Sequence, residues 1–124
     1  MIPIYAVAMA ASFNLVCTGF ESEATRGQQP QVHPLVVSLR VNLTSLRWCS
    51  EPCLATRNIV KVTDDRITLE ETSLPESNKV TFLQREVGRY MSAFTEPAYD
   101  PKHAIVGSAD CKTAPFSGFP AAKF

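Results

Sequence analysis

The stretch Asn58-Ile59-Val60-Lys61-Val62-Thr63-Asp64-Asp65-Arg66-Ile67-Thr68-Leu69-Glu70-Glu71 decides the fold class. Two runs rich in β-branched residues suit a pleated, half-buried surface. The acidic pair between them favours a turn, because each Asp side chain can bond its own backbone. Strand, turn and strand in that order predict a β-hairpin. Just ahead stands Trp48-Cys49-Ser50-Glu51-Pro52-Cys53, two cysteines in a tight loop that Pro52 helps to turn back.

Upstream, residues 35–43 carry the cleanest alternation in the chain. Val37, Leu39, Val41 and Leu43 face one way, and Ser38, Arg40, Asn42 and Thr44 the other. That is the pattern of an antiparallel strand with one face buried. Residues 13–18 alternate similarly and predict a first strand, and the polar, proline-bearing residues 21–34 read as a long exposed loop. Downstream, residues 80–84 and 89–94 predict a second hairpin, with Gly88 in its turn where a left-handed backbone is needed. Residues 95–102, broken by Pro97 and Pro101, are expected to be loop, and residues 104–106 a short strand. The tail 111–124 is apolar yet irregular, since Pro115 and Pro120 bar it from a central strand. Phe116 and Phe119 are then expected to plug one end or edge of the sheet, each contributing about 1.5–3 kcal/mol if fully buried. The reading is an all-β domain over residues 11–124, with six or seven short antiparallel strands in a small sandwich or partly open barrel under an irregular C-terminal lid.

With 124 residues the chain supports one core. Nine prolines against five glycines argue for short elements joined by bends. Lys plus Arg and Asp plus Glu both total 12, so the net charge is zero. A protein that grips nucleic acid through its phosphates carries a basic surplus, and none is present here.

Residues 1–20 contain no Lys, Arg, Asp or Glu, and Ala8-Met9-Ala10 matches a signal-peptidase site. Residues 1–10 therefore read as a truncated signal peptide, and the mature chain as exported to the periplasm or the extracellular space. A transmembrane span is not expected, because Asn14, Gly19 and Glu21 interrupt the apolar run. Four cysteines fit two disulfides in an oxidising compartment, with three connectivities open. The short spacing favours Cys49–Cys53, which leaves Cys17–Cys111.

The alternative for Cys49 and Cys53 is chemical. Trp48-Cys49 with Cys53 is one residue longer than a thiol-oxidoreductase site, and two thiolates at this spacing suit copper(I) with a distant His. Only His33 and His103 could supply that third ligand. No Gly-rich phosphate loop, zincin helix or nucleophile elbow occurs. Asp64 and Asp65 are explained by the turn, and Glu70 and Glu71 by a solvated strand end. Trp48, Arg85, Arg89 and Tyr90 could build a binding surface rich in arginine and aromatic groups. The blander reading puts both rings in the core with the arginines reaching outward. The balance favours a non-catalytic module without a cofactor, meeting a protein or envelope partner.

Taken together, Leu15-Val16-Cys17-Thr18-Gly19, Arg47-Trp48-Cys49 with Cys53, Ile59 with Val62-Thr63 and Ile67, Gln84-Arg85 with Gly88, and Cys111 with Pro115-Phe116-Ser117-Gly118-Phe119-Pro120 resemble small exported bacterial proteins of unknown function. The resemblance runs from Phe13 onward, although Gln84 stands where that group has Asn. It implies export and paired cysteines, and it carries no activity.

Overall fold

The computed structural model describes residues 11–96 and 103–121. These residues form nine strands and no helix: β1 (Ser12–Thr25), β2 (Gln31–Asn42), β3 (Arg47–Ser50), β4 (Arg57–Asn58), β5 (Lys61–Val62), β6 (Arg66–Ser73), β7 (Asn78–Gln84), β8 (Arg89–Glu96) and β9 (His103–Ala114). All belong to one antiparallel sheet in the order β4-β3-β2-β1-β9-β8-β7-β6-β5. The sheet curls into a half-barrel. Its edge strands β4 and β5 are consecutive in the chain, separated only by Ile59 and Val60. The Ile59 amide donates to the Leu46 carbonyl at 2.9 Å and the Val60 amide to the Thr68 carbonyl at 2.9 Å. One short segment thus borders both edges, and the unpaired backbone that an open sheet would present is reduced.

The strand inventory corrects the expected one in three places. Residues 21–25 and 31–34 belong to strands β1 and β2, whose ladder runs unbroken from Ser12 opposite Asn42 to Glu23 opposite Gln31. Glu21 and Glu23 alternate with exposed Ser22 and Ala24. They face a polar end of the interior, so their charge is no bar to strand formation. The last strand has twelve residues where three were expected, and it takes in Cys111 and Ala114. The ladder stops at Pro115, the first residue without an N–H to donate. The run expected over residues 58–63 is instead split into β4 and β5, one for each edge.

Two glycines sit where the inner face is crowded. A Cβ built on Gly19 would lie 2.0 Å from the Ser108 carbonyl oxygen and 2.5 Å from the Ala109 Cα. A Cβ on Gly107 would meet the Ser92 hydroxyl at 2.8 Å. At position 19 only glycine lets β1 lie so close to β9, and at 107 glycine leaves room for the Ser92 and Leu35 side chains. The buried residues Leu15, Cys17, Leu39, Val41, Trp48, Ile67, Leu69, Leu83 and Ala109 belong to one cluster.

The C-terminal tail does not plug an end of the sheet. It crosses the outer face, because Asn14 and Arg40, directly opposite each other on β1 and β2, both point outward and hold it. The Asn14 side-chain amide donates to the Ser117 hydroxyl at 2.9 Å, and Arg40 donates to the Gly118 carbonyl at 2.9 Å. Phe116 and Phe119 pack edge to face, centroids 5.1 Å apart. Arg40 also clasps both carboxylate oxygens of Glu51, anchoring the loop closed by Cys49–Cys53 to the same face. The expected signal segment, residues 1–10, lies outside the described residues, as do 97–102 of the expected loop.

Candidate binding cleft

Inward-facing side chains divide the half-barrel interior into two unlike ends. At the end where β1 begins and β9 finishes, Phe13, Leu15, Ile67, Leu83, Cys111 and Thr113 wall a cleft of about 780 Å³. The turns 63–66 and 84–89 form its rim and place Asp64, Asp65, Arg85 and Glu86 at the mouth. The alternation that buries Leu15 and Leu83 brings their neighbours Phe13 and Thr113 to the same wall, since Leu15 pairs with Thr113 across the β1–β9 ladder.

The rim is built, not loose. Thr63 Oγ1 donates to Asp65 Oδ1 at 2.7 Å and accepts from the Arg66 amide at 3.1 Å. The Thr63 bond is the largest cause holding the Asp65 carboxyl below its ordinary range, helped by the backbone and by Arg66. Arg85 ties the two turns together, its guanidinium donating to the Thr63 carbonyl at 2.8 Å and its amide to the Asp65 carbonyl at 2.9 Å. Gly88 supplies the left-handed φ of 66° that the second turn requires.

The opposite end is polar. A bulge between Thr68 and Glu70 shifts the β6–β7 register by one residue. Past a bulge the facing of side chains is reset, and here Glu70 comes inside, opposite Thr81. The Glu70 side chain is 14% exposed, paired with Arg57 at 2.6 Å and Lys79 at 3.4 Å. Partial burial pushes its carboxyl up, but the Arg57 bond and the Lys79 and Arg57 charges outweigh this and leave it below the ordinary range. Burial raises the Tyr90 phenol, with Glu70 and Glu21 adding to the effect against bonds from Ser92 and Thr81. Higher up, His103 lies 2.9 Å from Glu96 through Nδ1 and 2.7 Å from Glu23 through Nε2. These two bonds, Glu96 foremost, raise its pKa.

The candidate surface of Trp48, Arg85, Arg89 and Tyr90 is dispersed by this geometry. Trp48 is 4% exposed and sits in the core. Its Nε1–H finds no acceptor among the described residues, and the Arg57 guanidinium lies 4.9 Å from its ring. Tyr90 points into the polar end. Only Arg85 and Arg89 border the apolar cleft, and Arg89 also pairs outward with Asp110 at 3.3 Å. Cys49 is bonded to Cys53 and Cys17 to Cys111, and Cys49 is 1% exposed. In the bonded form neither Cys49 nor Cys53 presents a thiolate. Among the described residues no group of three or more His, Cys, Asp or Glu is placed to hold a metal ion. No helix there is long and apolar enough to cross a membrane.

Sequence reasoning missed the cleft walls, because Phe13, Leu83 and Thr113 converge only after three separate ladders are in register. It also missed the polar end, although the alternation Glu21, Ser22, Glu23, Ala24 carried the signal. Comparison with known proteins finds no matching family model, no matching curated protein and no matching solved structure.

Proposed function

We propose that this protein is a non-catalytic binding module, exported to the bacterial periplasm or cell envelope, that holds an apolar small molecule in the cleft between β1, β9 and the turns 63–66 and 84–89. The cleft itself carries the reading. Small-molecule sites are concave and mostly apolar, have volumes of about 300–1,000 Å³, and use a few placed polar groups for orientation. Here Phe13, Leu15, Ile67 and Leu83 supply the apolar wall, and Asp64, Asp65 and Arg85 the polar rim. A ligand of matching chemistry has a hydrocarbon or aromatic body and one polar end. Export rests on the two disulfides, which are compatible with an oxidising compartment, and on the resemblance to small exported proteins.

The test is a fluorescence titration with N-phenyl-1-naphthylamine, an apolar probe that brightens out of water. Saturable enhancement is expected, weakened about 10-fold or more by Thr113→Trp, which fills the mouth from an exposed position, with each 10-fold step corresponding to about 1.4 kcal/mol. Absence of saturable enhancement, or enhancement indifferent to Thr113→Trp, contradicts the reading.

A further inference from the structure

The convex face of β2, β1 and β9, away from both ends of the interior, carries a second feature. Phe20 is 65% exposed, and Val32 and Val36 on β2 are 65% and 69% exposed. Register places them together: Phe20 stands opposite Pro34, which Val32 and Val36 flank, and on its other side Phe20 stands opposite Ser108, next to Val106. Val16 and Val106, 46% and 48% exposed, extend the patch along β1 and β9. The outward positions within 16–24 of β1, 32–36 of β2 and 104–108 of β9 hold no Asp, Glu, Lys or Arg. Outward charges begin at the border toward the cleft end, where Asp110 stands opposite Thr18 and Lys112 opposite Val16.

We propose that this face is the interface of a symmetric homodimer, with Phe20 of each copy seated among the valines of the other. Three observations select a second copy as the occupant. In a two-fold interface the same patch meets itself, so any charge near its axis would face its own kind; the centre of this patch, around Phe20, has none. The exposed apolar side chains present on the order of 500 Å², at the upper end of what monomers leave uncovered. Thr18, Ser22 and Ser108 interleave with the apolar residues, and their hydroxyls can bond across a protein interface but would be unsatisfied in lipid hydrocarbon.

Sedimentation velocity of the full chain from about 1 μM to about 1 mM tests this. A species of twice the 13.6 kDa chain mass is expected, with a dissociation constant in the micromolar range or tighter. Phe20→Lys and, separately, Val106→Lys are expected to weaken it about 100-fold or more, the size of effect seen at central interface residues. Lys61→Glu, exposed on the edge strand β5 and outside the patch, is expected to leave it unchanged. Near-UV circular dichroism confirms that each variant is folded; if one is not, Val36→Lys replaces it. A chain that stays monomeric at about 1 mM, or a dimer indifferent to the folded patch variants, overturns the proposal. A monomer that co-sediments with phosphatidylcholine–phosphatidylglycerol vesicles also overturns it and identifies lipid as the occupant.

Discussion

Cys17 on β1 lies directly opposite Cys111 on β9, and the bond between them joins the first strand of the half-barrel to the last across 94 residues. The bond between Cys49 and Cys53 spans only 4. In the loop-entropy account the long closure stabilises by about 4–5 kcal/mol and the short one by about 2 kcal/mol. The double variant Cys17→Ala/Cys111→Ala should therefore lose more than Cys49→Ala/Cys53→Ala in urea unfolding. Equal losses would show that the long bond adds little to a ladder already held by register.

His103 has a carboxylate at each ring nitrogen, an arrangement that favours the imidazolium, in which both nitrogens donate. The groups facing it are Glu23 on β1 and Glu96 on β8, with His33 of β2 3.9 Å from Glu23. Its folded pKa is raised above the ordinary 6.5, so the folded chain binds the proton more tightly than the unfolded one. That stabilisation is fully present below pH 6.5 and is lost as pH rises through the folded value. Unfolding midpoints should fall as pH rises above 6.5 through the folded value, and His103→Gln should flatten the slope. An unchanged slope in a folded His103→Gln variant would remove His103 from the account.

Gly19→Ala should be among the most damaging single substitutions. Its Cβ would meet backbone of β9, which cannot swing aside as a side chain can. Overpacking costs about 1–3 kcal/mol where side chains can yield, and the cost here should lie at or above that range. Gly27→Ala should be milder, since nothing lies within 4 Å of its Cβ and only the φ of 85° opposes it. Thermal unfolding of the two variants checks the ranking.

A count of free thiols on protein purified without reductant should be zero in the denatured state, because all four cysteines are bonded. Two reactive thiols assigned to Cys49 and Cys53, together with stoichiometric copper(I) binding, would transfer weight to the redox or copper reading.

The all-β class was legible wherever alternation was strong, as in Val37, Leu39 and Val41, whose neighbours need no charge to face inward. It failed where inward positions were charged or small. Glu21 and Glu23 read as loop, and Gly107 and Ala109 interrupt the β-propensity of β9, because the requirement they meet is set by the opposite strand. The rim was half visible: Asp64, Asp65 and Gly88 announced two turns, but nothing local to either turn says that Arg85 bridges them. The inward turn of Glu70 depends on a one-residue bulge that no periodicity reveals.

The most direct test of the central claim, that the cleft is a binding site, is an amide chemical-shift map of the folded protein titrated with N-phenyl-1-naphthylamine. Saturable shifts should gather at Leu83, Gly88, Cys111 and Thr113, leaving Phe20, Val36 and Val106 in place. Shifts confined to the outer face, or scattered without saturation, would contradict it.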